Sequence, residues 1–242
     1  MIDIHTHLLP SVDDGSSDLN ETRLLLETAI KDGTKDIVLT PHFCRMDNYV
    51  CRRKDLLLKF NNLKSQVKDL NINLYLGNEL MIEQNLDTLL ENNELLTINN
   101  SHYVLVEFPF DEYKKEYDEY LYNISSLGLK IIIAHPERYS YINENLINSW
   151  LKNKYCLQAN ARSFVRKDRK KLLFKLIQNG QLHIIASDAH NEYRPPVLSD
   201  TYKLISKKFN TQTAEILFNT NPYNVLNDID LITLPKQKQR LF

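Results

Sequence analysis

The sequence predicts an α/β chain in which strand–helix units repeat and close into one parallel barrel. Three observations predict it. Short β-rich runs alternate with helix-length segments, glycine recurs where a helix gives way to a strand, and most histidines stand at one end of the strands.

Seven strands are expected, at 2–5 (IDIH), 36–40 (DIVLT), 72–79 (INLYLGNE), 103–108 (YVLVEF), 131–134 (IIIA), 155–160 (YCLQAN) and 183–187 (HIIAS). Continuous apolar runs such as IIIA suit strands buried on both faces of a parallel sheet. The first helix, 19–31, carries Leu24, Leu25, Leu26, Ala29 and Ile30, and Asp18 and Glu21 favour its N-terminus. Further helices are expected at 52–70, 83–92, 112–127, 143–153 and 167–179. Of only five glycines, Gly33, Gly128 and Gly180 each end one of these helical segments shortly before a strand, the position where a left-handed cap is needed. Helix, glycine, strand is therefore the repeated unit, which implies right-handed crossovers and a closed barrel. No Pro/Ser-rich stretch, charge block or low-complexity tract divides the chain, so residues 1–242 are expected to form a single domain.

Bulk properties narrow the class. An apolar fraction of 43% fills a sizeable core, and 25% charged residues give an ordinary soluble surface. A net charge of −1 offers no overall field for nucleic acid. No apolar run approaches the roughly 20 residues that span a bilayer. The opening IDIHTH does not read as a signal peptide. Cys44, Cys51 and Cys156 form neither a CxxC pair nor an even framework, which fits a reducing compartment. The expectation is a cytoplasmic protein with no membrane insertion and no nucleic-acid partner.

The chemistry lies at the strand ends. The first strand runs into His5-Thr6-His7, with Asp13-Asp14-Gly15 in the loop that follows. The second ends at Thr40-Pro41-His42, the third at Glu79, the fourth at Glu107, the fifth at His135-Pro136-Glu137-Arg138 and the seventh at Asp188-Ala189-His190. Strand C-termini of a parallel barrel share one rim, so these residues converge despite their separation in sequence. Neutral imidazoles and carboxylates are the donor set of Zn, Mn, Fe and similar divalent ions, and a carboxylate can bridge two of them. So large a set exceeds the needs of one ion; a multinuclear site places metals roughly 3.5–4 Å apart and generates a nucleophilic hydroxide at neutral pH. Any one histidine alone is more often a surface or satisfied core residue. Here five of the seven stand at or just past strand C-termini, while His102 and His183 begin strands and fall at the opposite face. Arg138 and Arg194 closely follow the ligands His135 and His190, where a guanidinium fork matches phosphate oxygens; the plainer alternative is that each pairs with a carboxylate. The pattern points to a metal-dependent phosphoesterase.

With these residues in place the chain resembles the polymerase and histidinol phosphatase superfamily, and within it the capsule- and exopolysaccharide-type bacterial protein tyrosine phosphatases. The resemblance rests on MIDIHTHLLPSVDDG at 1–15, TPH at 40–42, YVLVEFPF at 103–110, IIAHPERY at 132–139 and IIASDAHN at 184–191, and spans essentially the whole chain. It implies a distorted seven-stranded (βα) barrel with two to three divalent ions, manganese foremost, with Fe, Zn or Co compatible. It assigns His5, His7, Glu79 and Asp188 to one ion, and Glu79, Glu107 and His135 to a second. Asp14, His42 and His190 hold a third, and Arg138 and Arg194 contact phosphate. It further implies hydrolysis of phosphotyrosine by metal-bound hydroxide, on a protein such as an autophosphorylated tyrosine kinase that controls polysaccharide export. Alternatives are a small-molecule phosphatase acting on histidinol phosphate, a nuclease, or a non-catalytic metal-binding module.

Three features receive plainer readings. Cys156 and Arg162 match Cys-x5-Arg, the pattern of thiolate phosphatases, but the intervening LQANA has no glycine for a backbone phosphate cradle, so the match reads as chance. RKDRKK at 166–171 reads as a solvated helix face. Cys44, two residues past His42, is superfluous beside so many N and O donors. Residues 43–55 (FCRMDNYVCRRKD) lie outside the motifs that carry the resemblance.

Overall fold

The computed structural model describes residues 1–236. Strands and helices alternate as β1 (Ile2–Thr6), α1 (Leu19–Asp32), β2 (Asp36–Leu39), β3 (His42–Phe43), α2 (Arg53–Gln66), β4 (Asn73–Leu76), β5 (Glu79–Met81) and α3 (Leu86–Glu91). They continue as β6 (Tyr103–Glu107), α4 (Glu116–Ser126), β7 (Lys130–Ala134), α5 (Glu144–Lys152), β8 (Cys156–Asn160), α6 (Lys167–Gln178) and β9 (Ile184–Ala186). A C-terminal run of α7 (Ser199–Lys208), α8 (Thr211–Glu215), a π-turn at Ile216–Thr220 and α9 (Asn221–Leu226) completes the described chain. Every expected strand and helix is present within a few residues of its expected limits. The Asp18 carboxylate accepts the Glu21 N–H at 2.9 Å to start α1, and Gly33, Gly128 and Gly180 have φ of +92°, +80° and +71°.

The fold is mixed α/β with parallel pairing throughout its ladders. It differs from expectation in how the strands assemble. Two sheets form, ordered β1-β2-β4 and β3-β5-β6-β7-β8-β9, and neither closes on itself among the described residues. The third expected strand is broken in two, and a two-residue strand outside the expected set, β3, follows the second. Pro41 has no N–H to give the ladder, so β2 stops before it and β3 restarts at His42. Gly77 breaks the next strand where Ile98 packs so close that a Cβ would meet its Cα at 3.2 Å. Asn78 spans both breaks, donating to the Pro41 carbonyl and accepting the Leu96 N–H, each at 3.0 Å. A single parallel bridge, Thr6 with Ala189, links β1 to the segment after β9.

These irregularities aim the site residues. Between Asp3 and Thr6 the β1–β2 register advances three residues on one strand and two on the other, so β1 carries one extra residue just where His5 falls. On β6 the buried Leu105 and Glu107 share a face, and past β9 Ala186 and Asp188 do likewise. An apolar cluster of Ile2, Ile4, Val38, Tyr103, Leu105, Ile132 and Ile184 underlies the site and is covered by Val225 and Leu226 of α9. The larger cluster packs helices against the outer strand faces around Phe108, Trp150 and Phe218. No described helix is long and apolar enough to cross a membrane.

Candidate metal centre

All nine predicted ligands are brought together. His5, His7, Glu79 and His135 are fully buried, Glu107, Asp188 and His190 nearly so, and the Asp14 side chain is 48% exposed at the mouth. At the centre the Glu79 carboxylate is 3.1 Å from both His5 Nε2 and His7 Nε2 through Oε2, and those two nitrogens are 3.1 Å apart. Donors about 2.0–2.1 Å from a shared ion stand roughly 2.9 Å apart in octahedral and 3.3 Å apart in tetrahedral geometry, so this triangle is of ion-binding size. His42 Nδ1 lies 3.2 Å from the same Glu79 oxygen, and His135 Nε2 lies 3.0 Å from Glu79 Oε1 and 3.4 Å from Glu107. Glu79 Oε2, Asp188 Oδ1 and His42 Nδ1 are buried without a hydrogen-bond partner, so electron-pair donors converge here with nothing polar to satisfy them.

Three sets of donor atoms gather within 4.8 Å: His7, Asp14, His42 and His190; His5, His7 and Glu79; and His42, Glu79 and Glu107. His7 and His42 thus each fall in two sets, whereas the sequence resemblance gives each to a single ion. Asp188 stands 3.5 Å from His5 and 3.6 Å from His7.

Hydrogen bonds behind the ligands fix which nitrogen faces inward. The Asp188 carboxylate can only accept, so Asn160 must present its Nδ2, which donates to Oδ2 at 2.6 Å. Asn160 Oδ1 then accepts from Gln158 Nε2 at 3.1 Å, which turns Gln158 Oε1 toward His5 Nδ1 at 2.9 Å. His5 therefore carries its proton on Nδ1 and offers the Nε2 lone pair to the centre. Asp13 does the same for His7 at 2.7 Å, and the Asp188 carbonyl for His190 at 3.0 Å.

The electrostatics follow from this crowding. Burial opposes charge on His7, but Asp13 and then Glu79 outweigh it and hold its pKa well above the usual value. Burial followed by the proximity of His7 lowers His42, and the same pair of causes takes His190 down to about 2. Burial, with Arg138 assisting, takes His135 down to about 4. Glu107 is pushed well above the usual carboxylate range by burial and then by Glu79.

The two predicted arginines meet on one atom. Arg138 Nη1 donates to Asp188 Oδ2 at 3.0 Å and Arg194 Nη2 at 2.7 Å, while the Arg138 guanidinium lies 4.3 Å over the half-exposed Phe110 ring. The carboxylate pairing weighed as the plainer alternative is thus present for both. Each still has free donors, Arg194 Nε being buried without a partner.

The sequence reading missed the residues that hold the ligands. Gln158 and Asn160 alternate along β8, the one expected strand given no site residue, and two amides at period two in a buried strand were the available signal. Tyr49, in the unassigned segment 43–55, stacks on His42 with ring centroids 5.9 Å apart. Cys44 is not among the gathered donors; its thiol donates to Asp47 at 3.2 Å. Cys156 begins β8 and Arg162 lies beyond its far end, so they cannot share one phosphate.

A family described as capsular polysaccharide synthesis, CpsB/CapC, matches residues 1–227. Among similar proteins, the putative tyrosine-protein phosphatase CapC of Staphylococcus aureus is 36% identical over 208 residues, covering 82% of this chain and 80% of its own. The tyrosine-protein phosphatase CpsB of Streptococcus pneumoniae is 30% identical over 245 residues, covering 94% and 99%. Among solved structures, one from work on YwqE of Bacillus subtilis and CpsB of Streptococcus pneumoniae, described as metal-dependent tyrosine phosphatases, superposes with a TM-score of 0.91 at 26% identity over 100% of both chains.

Proposed function

Because this chain belongs to the CpsB/CapC family of capsular polysaccharide synthesis, we propose that it is a metal-dependent protein tyrosine phosphatase, a phosphoric monoester hydrolase acting on phosphotyrosine. The observation that carries the proposal is the triangle of His5, His7 and Glu79 donors beside two arginines that still have free N–H groups. A structural metal site needs no such phosphate-binding donors.

The site suits two to three divalent ions, with manganese preferred and Fe, Zn or Co compatible with the donor set. His5, His7, Glu79 and Asp188 would hold one, Glu79, Glu107 and His135 a second, and Asp14, His42 and His190 a third. Ions bound there supply Lewis acidity and a water made nucleophilic at neutral pH. The protein's own residues do the rest. Arg138 and Arg194 turn their remaining N–H groups to the phosphoryl oxygens and stabilise the charge that grows on them. Phe110 fixes the Arg138 plane by cation–π contact. The leaving phenol has a pKa of about 10, so it departs as phenolate with less need of a strong acid than an alcohol has. We further assign the protein to the cytoplasm, with an autophosphorylated tyrosine kinase as substrate. The seven strand positions are read as one distorted barrel serving a single domain, and the Thr6–Ala189 bridge supports closure.

Metal content and turnover measured together test the assignment. Glu79→Gln is expected to lose bound metal and to lower kcat/KM by more than the roughly 10–100-fold typical of losing an outer partner of a ligand. Arg138→Ala is expected to lower kcat/KM on a phosphotyrosine peptide with metal content preserved. Wild-type rates in a metal-replete Glu79→Gln protein would remove Glu79 from the site, and unchanged kinetics in Arg138→Ala would remove that arginine from the phosphate.

A further inference from the structure

Two arginines beside the site have no part in the chemistry above. Arg162 follows β8 in the short turn Ala161–Val165, two residues past Asn160, whose side chain holds Asp188. It is exposed and makes no hydrogen bond or ion pair with a described residue. Arg169 lies in the first half of α6, its side chain 20% exposed, with Nε 3.6 Å from Asp168. Arg138 occupies the neighbouring turn Pro136–Arg138.

Glu137 locks the two turns together. Its buried carboxylate accepts the Asn160 N–H at 3.0 Å. Arg138 adjoins Glu137 and Arg162 stands two residues past Asn160, so both emerge on the same stretch of rim. The guanidiniums feel one another. After burial, the largest influence on Arg162 is Arg194, followed by Asp188, Arg138 and Arg169. After burial, Arg169 is influenced most by Arg166 and then by Glu137, Arg138 and Asp168. Arg138, Arg162, Arg169 and Arg194 thus stand near the buried Asp188 and Glu137 and the exposed Asp168, within a chain whose net charge is −1. Arg162 has no partner among the described residues, and an anion is what would relieve its charge.

We propose that Arg162 and Arg169 form a second anion subsite beside the reacting phosphate, so that preferred substrates carry another negative group next to the phosphotyrosine. This rests on the phosphatase reading above and adds a substrate class to it. The group is a carboxylate or a second phosphoryl group, both of which a guanidinium grips through paired N–H donors. Arg162 and Arg169 acquire a role here that the first lacks in a chance Cys-x5-Arg match and the second lacks on a solvated helix face.

Four substrates separate the possibilities: p-nitrophenyl phosphate, a phosphotyrosine peptide flanked by alanine, the same peptide flanked by glutamate, and a doubly phosphorylated peptide. Wild type is expected to prefer the last two. Arg162→Ala/Arg169→Ala is expected to lose about five- to tenfold in kcat/KM on them, mostly through KM, as suits charge contacts at a half-exposed rim. Its rate on p-nitrophenyl phosphate should stay within about twofold, since that substrate reaches neither arginine. A gain for the doubly phosphorylated peptide alone would identify the second group as phosphoryl. Arg162→Glu should shift preference toward a lysine-flanked peptide, a result that mere structural damage would not give. Equal losses on all four substrates, or a wild type indifferent to flanking charge, would overturn the subsite. Binding of the same peptides, read by fluorescence anisotropy, keeps the two proposals distinct. Charge-selective binding lost in the double variant, with no hydrolysis by wild type, would uphold the subsite and contradict the phosphatase reading.

Discussion

At the scale of single residues, the centre is a contest between protons and cations for the same lone pairs. Asp13 and then Glu79 favour the charged form of His7 against its burial, and burial and then Glu79 favour the neutral form of Glu107. Metal ligands must give up such protons. Both groups have folded pKa values above their ordinary ones, so each keeps its proton to higher pH and surrenders it when an ion arrives. Adding Mn²⁺ or Zn²⁺ to metal-free protein in weak buffer near pH 7 is therefore expected to release about one proton or more per chain, with apparent affinity rising as pH rises. A pH-indicator dye reads this directly, and binding without proton release would contradict the electrostatic account. The candidate ligands were legible in the sequence because all but Asp14, in the loop after β1, stand at or just past the C-terminal end of an expected strand. Their supports were not: Asp13, Gln158 and Asn160 matter through the atoms they turn toward a neighbour, and no spacing rule encodes that relay.

At the scale of elements, site geometry depends on where strands break. His42 and Glu79 are paired across β3 and β5, the two short strands that restart after Pro41 and Gly77. Asn78 is buried between those breaks and satisfies one backbone acceptor and one donor. Asn78→Ala would strand both, at about 1–3 kcal/mol. For a chain of this size that corresponds to a fall in Tm of about 2–10 °C. Thermal unfolding of the metal-free variant checks it, and an unchanged Tm would show that the breaks hold themselves. Strand positions and the glycine-capped helices were readable from apolar runs and from Gly33, Gly128 and Gly180. β3 and the break at Gly77 were not, because His42–Phe43 is only two residues long and the third expected run continues in character across Gly77. The elements after residue 198 were also missed. They are short, and one is a π-turn at Ile216–Thr220, so no long 3.6-residue pattern announces them.

At the scale of the whole molecule, the chain places its candidate site residues at one end of its strands and closes the apolar cluster beneath them with α9, the last described helix. The matched family region, 1–227, takes in that helix. The molecule also holds apart the two chemistries by which a tyrosine phosphatase could work. The cation-binding donors gather at the strand C-termini. Cys156 sits at the opposite end of β8, where burial pushes its thiol up to about 12 and leaves no thiolate near neutral pH. Hydrolysis of a phosphotyrosine peptide by wild type and Cys156→Ser, each before and after chelation and again after Mn²⁺ is restored, tests the central claim most directly. The expected result is activity that survives Cys156→Ser, vanishes on chelation and returns with the metal. Activity indifferent to chelation but abolished by Cys156→Ser would contradict it.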